Sequence, residues 1–322
     1  MKVVVTGATG FIGQPLVAAL RDRGDDVIAL VRDVERAKQQ LRGDEPVRSA
    51  PGEAQRGSLH LVLAELETPG LWCDRLDGVD AIVHLAGEPV AGKRWDARQK
   101  QLIRDSRVES TRTIVEAIGK TTERPKVLVT ASGIDYYAFA SNQHDFDDDE
   151  VTEADPAADT FLGRVCRDWE HEALAAESHG LRVACMRTGL VIGKQGGALA
   201  KLRRPFELFA GGKIGSGRQW VSWIHIDDVV AAYATALADD RYRGPINLVT
   251  ASIRNAEFSR ALGEALGKPS WLRVPAFALK AAVGSEFAES ILEGRRVVPT
   301  KLQSLGFRWQ HPTLAGALSA SL

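Results

Sequence analysis

The stretch Lys2-Val3-Val4-Val5-Thr6-Gly7-Ala8-Thr9-Gly10-Phe11-Ile12-Gly13 decides how this chain folds. Its pattern predicts a buried strand that runs into a glycine loop, and an amphipathic helix follows from Pro15 to Arg23. Gly7 permits the sharp turn off the strand, Gly10 lets the backbone approach a phosphate, and Gly13 lets the helix pack closely on the sheet. We therefore predict a dinucleotide-binding loop made of Gly7, Thr9, Gly10, Phe11, Ile12 and Gly13. The spacing Gly-x-x-Gly-x-x-Gly differs from the commonest dinucleotide fingerprint, and a plain tight turn is the alternative.

The bulk composition excludes several classes of protein. The 322 residues are 44% hydrophobic and 26% charged, and the net charge of −1 gives no general attraction to nucleic acid or to a membrane. Any anionic ligand must therefore be bound locally. The three cysteines are far apart and follow no zinc-site or disulfide pattern, which predicts reduced thiols. The first strand leaves no room for a signal peptide before it, so we expect a cytoplasmic protein, either a monomer or a homodimer.

The chain has two kinds of organisation. Up to Gly193, short apolar runs alternate with amphipathic segments, which is typical of a parallel sheet covered by helices. The sequence predicts an α/β fold, in which residues 1–193 form a doubly wound core that residues 219–250 complete. Strands at Trp220–Ile226 and Pro245–Val249 are expected to join that sheet. Residues 194–218 and 251–322 are predicted to form a small, mainly helical substrate-binding cap, with one helix over Ala276–Leu292.

The end of the second predicted strand selects the cofactor. The apolar run Asp26–Val31 ends in Arg32 and Asp33. A carboxylate at this position holds the ribose 2′-hydroxyl of NAD, whereas a basic residue meets the 2′-phosphate of NADP. Arg32 favours NADP(H). The alternative is that Arg32 is a solvated arginine and Asp33 is the ribose ligand.

Further segments at strand ends are expected to lie along the dinucleotide. Glu65 and Leu66, after the third strand, would border the adenine. Leu85, Ala86 and Gly87, at the end of the fourth predicted strand (Asp80–Gly87), would lie under the pyrophosphate and the nicotinamide ribose. The small residues at the end of that strand allow the chain to pass close to a bound ligand.

Ser132 stands at the carboxyl end of the fifth predicted strand, where open α/β sheets place their ligands. It is a candidate hydrogen-bond donor to a substrate carbonyl, and a turn-capping hydroxyl is the alternative. The acidic run His144–Glu150 follows. It lacks calcium-loop spacing, so we interpret it as a solvated loop and predict no metal site.

The glycine-rich segment from Gly211 to Arg218 is expected to form a mobile substrate loop. Lys213, Arg218 and Trp220 are its candidate ligands for an anionic small molecule, because an arginine offers a planar fork to phosphate or carboxylate. Trp223 would add a second aromatic ring. The alternative for Arg218 is a salt bridge to the cap.

Several motifs together resemble the extended short-chain dehydrogenase/reductase superfamily. They are Thr6 to Gly13, His84-Leu85-Ala86-Gly87, Arg187-Thr188-Gly189 and Ile224-His225-Ile226-Asp227-Asp228. Four more segments resemble a branch of sugar-nucleotide-epimerase-like proteins sometimes labelled cell-division inhibitors. They are Asp105 to Val108, Cys166 to Glu170, Gly215 to Trp220 and Val274 to Leu279. The resemblance implies a Rossmann core, an NADP-type cofactor, and cofactor contacts from Arg107, Gly189 and Leu190.

The resemblance also shows a departure from the superfamily. Ser132 matches the active-site Ser or Thr, but aligning Glu170 with the usual glutamate puts Leu162 at the tyrosine and Cys166 at the lysine of Tyr-x-x-x-Lys. Leucine and cysteine cannot supply the proton or lower a tyrosine pKa. Arg107 stands where extended members usually carry asparagine.

Two functions remain open at this point. One is an NADP(H)-dependent oxidoreductase or epimerase-like enzyme with a relocated acid, for which Tyr136 and Tyr137 beside Ser132 are the candidates. Asp135 ranks last because an aspartate is ionised at neutral pH unless it is buried. The other function is a regulator that senses NADP(H) and binds a partner through the cap.

Overall fold

The structure is a computed structural model that describes residues 1–41, 56–137, 148–194 and 196–322. Most of the predicted acidic run, residues 144–147, lies outside the described residues. The strands of the described residues are β1 (Lys2–Thr6), β2 (Asp26–Val31), β3 (Leu59–Leu63), β4 (Ala81–His84), β5 (Val127–Gly133), β6 (Glu150–Val151), β7 (Arg182–Thr188), β8 (Leu190–Ile192), β9 (Gly212–Ile214), β10 (Trp220–His225), β11 (Gly244–Leu248), β12 (Ala251–Arg254), β13 (Leu272–Val274) and β14 (Arg296–Val297).

The helices cover these strands and build the carboxyl-terminal region. They are α1 (Gly13–Asp22), α2 (Val34–Leu41), α3 (Ala97–Asp105), α4 (Val108–Lys120), α5 (Phe161–Leu174), α6 (Leu199–Glu207), α7 (Ile226–Ala238), α8 (Asn255–Leu266), α9 (Ala276–Val283), α10 (Ser285–Leu292), α11 (Thr300–Ser304) and α12 (Leu314–Ser321). Short 3₁₀ turns span Leu71–Leu76, Ile134–Tyr136 and Ala175–His179. In the described parts of the chain, no helix combines the length and the apolar character needed to cross a bilayer.

The central sheet has seven parallel strands in the order β11-β7-β5-β4-β1-β2-β3. The chain first builds outward from β1 through β2 to β3 and then returns to the other side of β1 with β4. This reversal leaves a crevice beside the carboxyl ends of β1 and β4, where doubly wound sheets bind their ligands. The predicted Rossmann-type fold is therefore confirmed.

Both faces of the sheet are buried, because side chains alternate along each strand. Val3 and Val5 pack with residues of α1 and α7, such as Leu16 and Val229, in one hydrophobic cluster. Val4 points the other way, into a second cluster with residues of α4 and the Leu71–Leu76 turn. The near-continuous apolar pattern of these strands follows from this double burial.

One strand lies elsewhere than the sequence pattern predicts. β10 was expected to extend the central sheet, but it pairs in parallel with β8 and antiparallel with β12 in a separate three-stranded sheet. Gly189 allows the chain to leave the central sheet, because a Cβ there would lie only 2.6 Å from the carbonyl oxygen of Ser222. α7 and β11 do pack with the central sheet, as predicted.

The helix predicted over Ala276–Leu292 is interrupted. Gly284 has a φ of +91°, a left-handed value that ends α9 before α10 begins. The apolar periodicity continues across this glycine, which is why the pattern predicted one helix.

A hydrogen-bonded histidine lies where β1 and β4 meet. The Thr6 hydroxyl accepts from the amides of Leu85 and Ala86 at 3.1 and 3.2 Å, so its proton is left to donate to His84 Nδ1 at 2.7 Å. On the other side, Nε2 lies 3.2 Å from the Ser110 hydroxyl. The buried ring is thereby held neutral, and burial, with a smaller contribution from the charge of Arg107, lowers the pKa of His84 to about 3.

A buried ion pair joins α5 to β7. The Arg187 guanidinium donates to both carboxylate oxygens of Glu170, at 2.8 and 2.7 Å, and both side chains are less than a tenth exposed. Ser132, at the end of β5, donates to the same carboxylate at 2.6 Å. Arg187 also donates to the Tyr137 hydroxyl at 2.8 Å. Four segments that surround the end of β5 are thus held by one bidentate pair.

The titration of His84 predicts a pH dependence of stability. Above pH 6.5 the ring is neutral in both the folded and unfolded states, but below it the unfolded chain binds a proton that the folded chain excludes down to about pH 3. The free energy of unfolding should therefore fall by about 2 kcal/mol more between pH 6.5 and 5 in the wild type than in His84→Asn. Urea unfolding at both pH values measures this, and parallel pH profiles would contradict it.

The ion pair predicts a large cost for removing one partner. Glu170→Gln leaves the Arg187 guanidinium buried without a counter-ion, so we expect the free energy of unfolding to fall by about 3 to 5 kcal/mol in urea. Asp168→Asn is the matched control, because Asp168 lies on the same helix and pairs with Arg167 at the surface. That pair should contribute about 0 to 1 kcal/mol. Equal losses in the two variants would show that the buried pair is unimportant.

Candidate dinucleotide and substrate site

The glycine loop closes against the end of β4. Gly7 has a φ of +66°, and a Cβ there would lie 2.7 Å from the carbonyl carbon of Leu85. A Cβ at Gly13 would lie 2.2 Å from the Gly7 oxygen, so no larger residue fits at the start of α1. Gly10 donates from its backbone N–H to the Gly7 oxygen at 2.9 Å and is itself exposed. The geometry agrees with the turn and packing roles expected of Gly7 and Gly13 and leaves the outer side of Gly10 open.

The other residues of the predicted loop hold it in place. The Thr9 carbonyl oxygen accepts from the Gln14 amide at 2.9 Å, and Ile12 packs on the hydrophobic core. The Phe11 ring lies against Gly193 and Gly197, where added Cβ atoms would come within 2.9 and 2.6 Å of it. Phe11 therefore joins the glycine loop to the segment that follows β8.

Arg32 and Asp33 have different environments. The Asp33 carboxylate accepts from the Arg36 amide at 2.9 Å and so caps α2. Arg32 is exposed and lines a cleft of about 360 Å³. Among the described residues that line this cleft, Arg32 is the only basic one, and four are acidic: Glu67, Glu88, Asp105 and Glu109. Arg32, not Asp33, is therefore the group that is available to a ligand at the end of β2.

The segments after β3 and β4 contribute mostly backbone. Leu66 is 7% exposed and belongs to the core, whereas Glu65 before it is exposed. The backbone amides of Leu85 and Ala86 already donate to the Thr6 hydroxyl. Of these three residues, only Gly87 does not make this contact, and it is exposed. At these positions the fold supplies a close backbone approach rather than polar side chains.

Arg107 places a cation beside Gly87. Its Nη1 donates to the carbonyl oxygens of Glu88 and Ile103 at 3.0 and 2.9 Å, and its Cζ lies 5.3 Å from the centroid of Trp169. A Cβ at Gly87 would come 3.0 Å from that Cζ. The arginine at the position of the family's usual asparagine is therefore fixed against the end of β4.

Ser132 and Tyr137, two of the three candidate catalytic residues, are used inside the protein. Ser132 is 6% exposed and donates to Glu170, as described above. Tyr137 is 2% exposed, donates to the Asn247 side chain at 2.5 Å and accepts from Arg187. Burial raises the pKa of Tyr137 to about 12. Both hydroxyls already have partners, which favours a positioning role over the proton transfer expected from the sequence.

Tyr136 and Asp135 are more accessible. Both are half-buried, and the Tyr136 ring stacks on Arg187 with Cζ 3.4 Å from the ring centroid. The Asp135 carboxylate lies 3.3 Å from the place a Cβ of Gly133 would occupy, and the Cys166 sulfur lies 3.7 Å from it. Burial raises the pKa of Asp135, while the charge of Arg107 opposes that shift. Burial therefore favours the neutral, proton-bearing form of Asp135 more than water does, which is the direction that an acid needs.

Leu162 and Cys166 carry no group that could replace the missing tyrosine and lysine. Both lie on the inward side of α5 and are 6% exposed. Burial raises the pKa of Cys166 to about 12, with nearby Asp135 adding to the shift, so its thiol is neutral. Neither side chain can therefore supply the proton or the positive charge that a tyrosine and a lysine would supply at these positions.

The predicted substrate residues are not all on a loop: Lys213 lies in β9, Trp220 begins β10, and Arg218 lies in the turn between these strands. Two arginines that sequence reasoning missed lie over the Trp220 ring, with Cζ distances from the ring centroid of 3.8 Å for Arg254 and 5.4 Å for Arg296. Arg254 also donates to the Arg218 carbonyl oxygen, and the stem of Lys213 packs over Gly217. Arg254 and Arg296 belong to no motif, since they lie in strands of only four and two residues.

Trp223 does not lie on the surface formed by Trp220, Arg254 and Arg296. It is 1% exposed and lies in the cluster formed by α6, α8 and α12. The prediction that Trp223 provides a second aromatic ring for the substrate is wrong. Side chains alternate along β10, so Trp223 points to the opposite side from Trp220 and packs into the hydrophobic core beside the second sheet.

The strand that carries Arg296 lies beside the end of β5. Val297 packs in one cluster with Tyr137, and Tyr136 lies against that cluster. The preceding residue, Arg295, is half-buried, and its Nε has no hydrogen-bond partner. Basic side chains of the carboxyl-terminal region therefore adjoin the segment that carries Asp135 and Tyr136.

Comparison with known proteins identifies the family. The profile of the NAD dependent epimerase/dehydratase family matches residues 3–248, and that of a domain of unknown function, DUF1731, matches residues 274–321. An Arabidopsis thaliana protein named epimerase family protein SDR39U1 homolog, chloroplastic, is 40% identical over 99% of this chain and 86% of its own length. Epimerase family protein ML0860 of Mycobacterium leprae is 34% identical over 98% and 94%.

A solved structure agrees with this assignment. The human epimerase family protein SDR39U1, solved with NADPH, is similar to this chain with a TM-score of 0.82 and 31% identity, over 100% of this chain and 99% of that one. The seven-stranded sheet, the glycine loop and these similarities lead to one conclusion. The chain belongs to the NAD dependent epimerase/dehydratase family.

Proposed function

We propose that this protein binds NADP(H) and performs oxidoreductase or epimerase-like chemistry on an anionic small molecule. The observation that carries the cofactor choice is the pair at the end of β2: Arg32 is exposed, and Asp33 is committed to capping α2. The exposed Arg32 is the one basic residue among the described residues that line its cleft, where Glu67, Glu88, Asp105 and Glu109 are acidic, and an arginine at this position suits a 2′-phosphate. The NADPH bound in the human relative's structure supports the same choice.

The residues present fit a dinucleotide. The open side of Gly10 would admit the pyrophosphate at the start of α1, where unpaired amides and the helix dipole favour an anion. Gly87, with Arg107 beside it, would lie along the nicotinamide ribose. The bound cofactor would supply hydride transfer, and the protein supplies orientation, charge and the proton.

We assign the proton to Asp135, with Tyr136 as the alternative. Asp135 combines a raised pKa with a position beside Gly133, at the carboxyl end of β5. No hydrogen bond or ion pair to another described residue occupies its carboxylate. Ser132 and Tyr137 would act as positioning residues, because their hydroxyls bind the Glu170–Arg187 pair beneath this segment.

The substrate's anionic group would bind on the carboxyl-terminal side. Arg254 and Arg296 lie over the Trp220 ring and pair with Asp148 and Glu150, and Lys213 and Arg218 lie in the segment from β9 to β10. The unpartnered Nε of Arg295 supports an anionic ligand, because a buried donor without a partner costs about 1 to 3 kcal/mol. A phosphate or carboxylate would remove that cost.

A second candidate function is supported by α5. Leu162 and Cys166 leave the usual catalytic positions without an acid, so the protein could bind NADP(H) as a signal and use the cap to bind a partner. The two functions differ in turnover and share the cofactor site.

The cofactor assignment predicts a preference for NADPH over NADH. Removing the Arg32 guanidinium in Arg32→Ala should weaken NADPH binding by about 10- to 150-fold and leave NADH binding unchanged, since one charge-assisted hydrogen bond contributes about 1.5 to 3 kcal/mol. Fluorescence titration measures both affinities. Arg36→Ala, an exposed arginine on the adjoining helix, is the control and should bind both cofactors like the wild type. Equal wild-type affinities for the two cofactors would refute the assignment.

The missing tyrosine and lysine predict slow chemistry. Loss of a positioned acid typically lowers rates by about 10²- to 10⁴-fold, so turnover of generic aldehydes, ketones and sugar nucleotides with NADPH should be weak or absent, while NADPH still binds. Any residual turnover should vanish in Asp135→Asn at unchanged NADPH affinity. Fast turnover that survives separate changes at Asp135, Ser132, Tyr136 and Tyr137 would place the active site elsewhere.

A further inference from the structure

A cluster of two histidines and an aspartate lies where β10, α7 and the carboxyl-terminal segment meet. His225 ends β10, Asp227 lies in the first turn of α7, and His311 lies between α11 and α12. Asp227 Oδ2 lies 3.4 Å from His225 Nδ1 and 3.2 Å from His311 Nε2, and the three donor atoms lie within 4.8 Å of one another. We propose that these three side chains bind a divalent transition-metal ion, with Zn²⁺ as the test ion.

The distances suit such an ion. Zinc binds histidine nitrogen and carboxylate oxygen at about 2.0 to 2.2 Å, and tetrahedral angles then separate neighbouring donors by about 3.3 to 3.5 Å. The two measured separations lie at or next to this range before any adjustment. The Asp227 side chain is half exposed, which leaves a route for the ion and space for water as a fourth ligand.

The neighbours of the cluster orient its ligands. His225 Nε2 lies 3.0 Å from the Ser321 hydroxyl, and a proton on Nε2 leaves the lone pair on Nδ1, toward Asp227. The Asp228 carboxylate is fully buried and accepts from the amides of Gln310 and His311 at 2.6 and 3.2 Å. This contact fixes the backbone that carries the His311 ring.

The two imidazole rings lie side by side at the cluster, with centroids 3.8 Å apart and planes tilted by 44°. His225 Nδ1 faces the Asp227 carboxylate. Nδ1 also accepts from the Asp227 amide at 3.2 Å, a long contact that the ion would replace. A histidine–aspartate hydrogen bond without metal is the competing explanation.

A bound ion would connect two parts of the chain. His225 and Asp227 lie within the residues that match the epimerase/dehydratase profile, whereas His311 and Ser321 lie within the DUF1731 match. His311 is 84 positions from Asp227. The site is therefore a clasp between α7 and the carboxyl-terminal segment.

The experiment uses tag-free full-length protein, stripped with a chelator and dialysed, and titrated with ZnCl₂ by calorimetry. We expect one ion per chain, a visible Co²⁺ spectrum of a tetrahedral site, and no binding of Mg²⁺ or Ca²⁺, which prefer oxygen-rich sites. His311→Gln should lower Zn²⁺ affinity at least tenfold, and Ser321→Ala should lower it by about tenfold because it releases the His225 ring. His171→Gln, an exposed histidine on α5, should bind like the wild type.

Two outcomes would overturn the proposal. One is no stoichiometric Zn²⁺ binding by the wild type, and the other is equal Zn²⁺ affinity in the wild type and His311→Gln. A readout on the wild type alone adds a check that needs no variant to fold: Zn²⁺ should slow amide hydrogen exchange in residues 307–321. An unchanged exchange rate at saturating Zn²⁺ would also count against the clasp.

Discussion

The bidentate pair between Glu170 and Arg187 is the interaction on which the site depends. A buried arginine and carboxylate are stable together only when their remaining hydrogen bonds are also made, and here Ser132 of β5 and the Tyr137 hydroxyl supply those partners. The pair removes Ser132 and Tyr137 from the cleft and gives Tyr136 a cation to stack on. The residues left to act on a ligand at the end of β5 are therefore those that do not hydrogen-bond to this pair.

The crevice is built from close backbone contacts as much as from side chains. Gly7 touches the end of β4, Gly13 touches Gly7, and Gly189 touches the second sheet, and in each case a Cβ would come within 3 Å of backbone atoms. Side-chain identity is thus restricted at these positions by space. At Arg32 and Asp135 the side chain is exposed or half-buried, and its charge rather than the space around it determines what it can bind.

Much of the fold could be predicted because it depends on local patterns. The bounds of β1 and β2 were predicted to the residue, and the glycine loop follows from spacing alone. β10 was assigned to the wrong sheet because strand propensity does not determine which other strand it pairs with. In the structure β10 pairs with β8 and β12, and Gly189 allows its close approach through the contact with Ser222. The partners of Ser132 and Tyr137 lie 38 and 110 positions away, so no spacing could reveal that these hydroxyls are occupied. Likewise, only the fold brings Arg254 and Arg296 to Trp220, and only the fold brings His311 to His225 and Asp227.

The place of β11 has a consequence for how the chain is made. This strand closes one edge of the central sheet by pairing with β7, yet it is the last strand of that sheet in the sequence, and its Asn247 binds Tyr137. On the ribosome, β7 therefore stays an open edge while more than fifty further residues are synthesised, and open edges are where strands of other chains add. An open edge of this kind exposes the nascent protein to aggregation during the synthesis of the segment between β7 and β11.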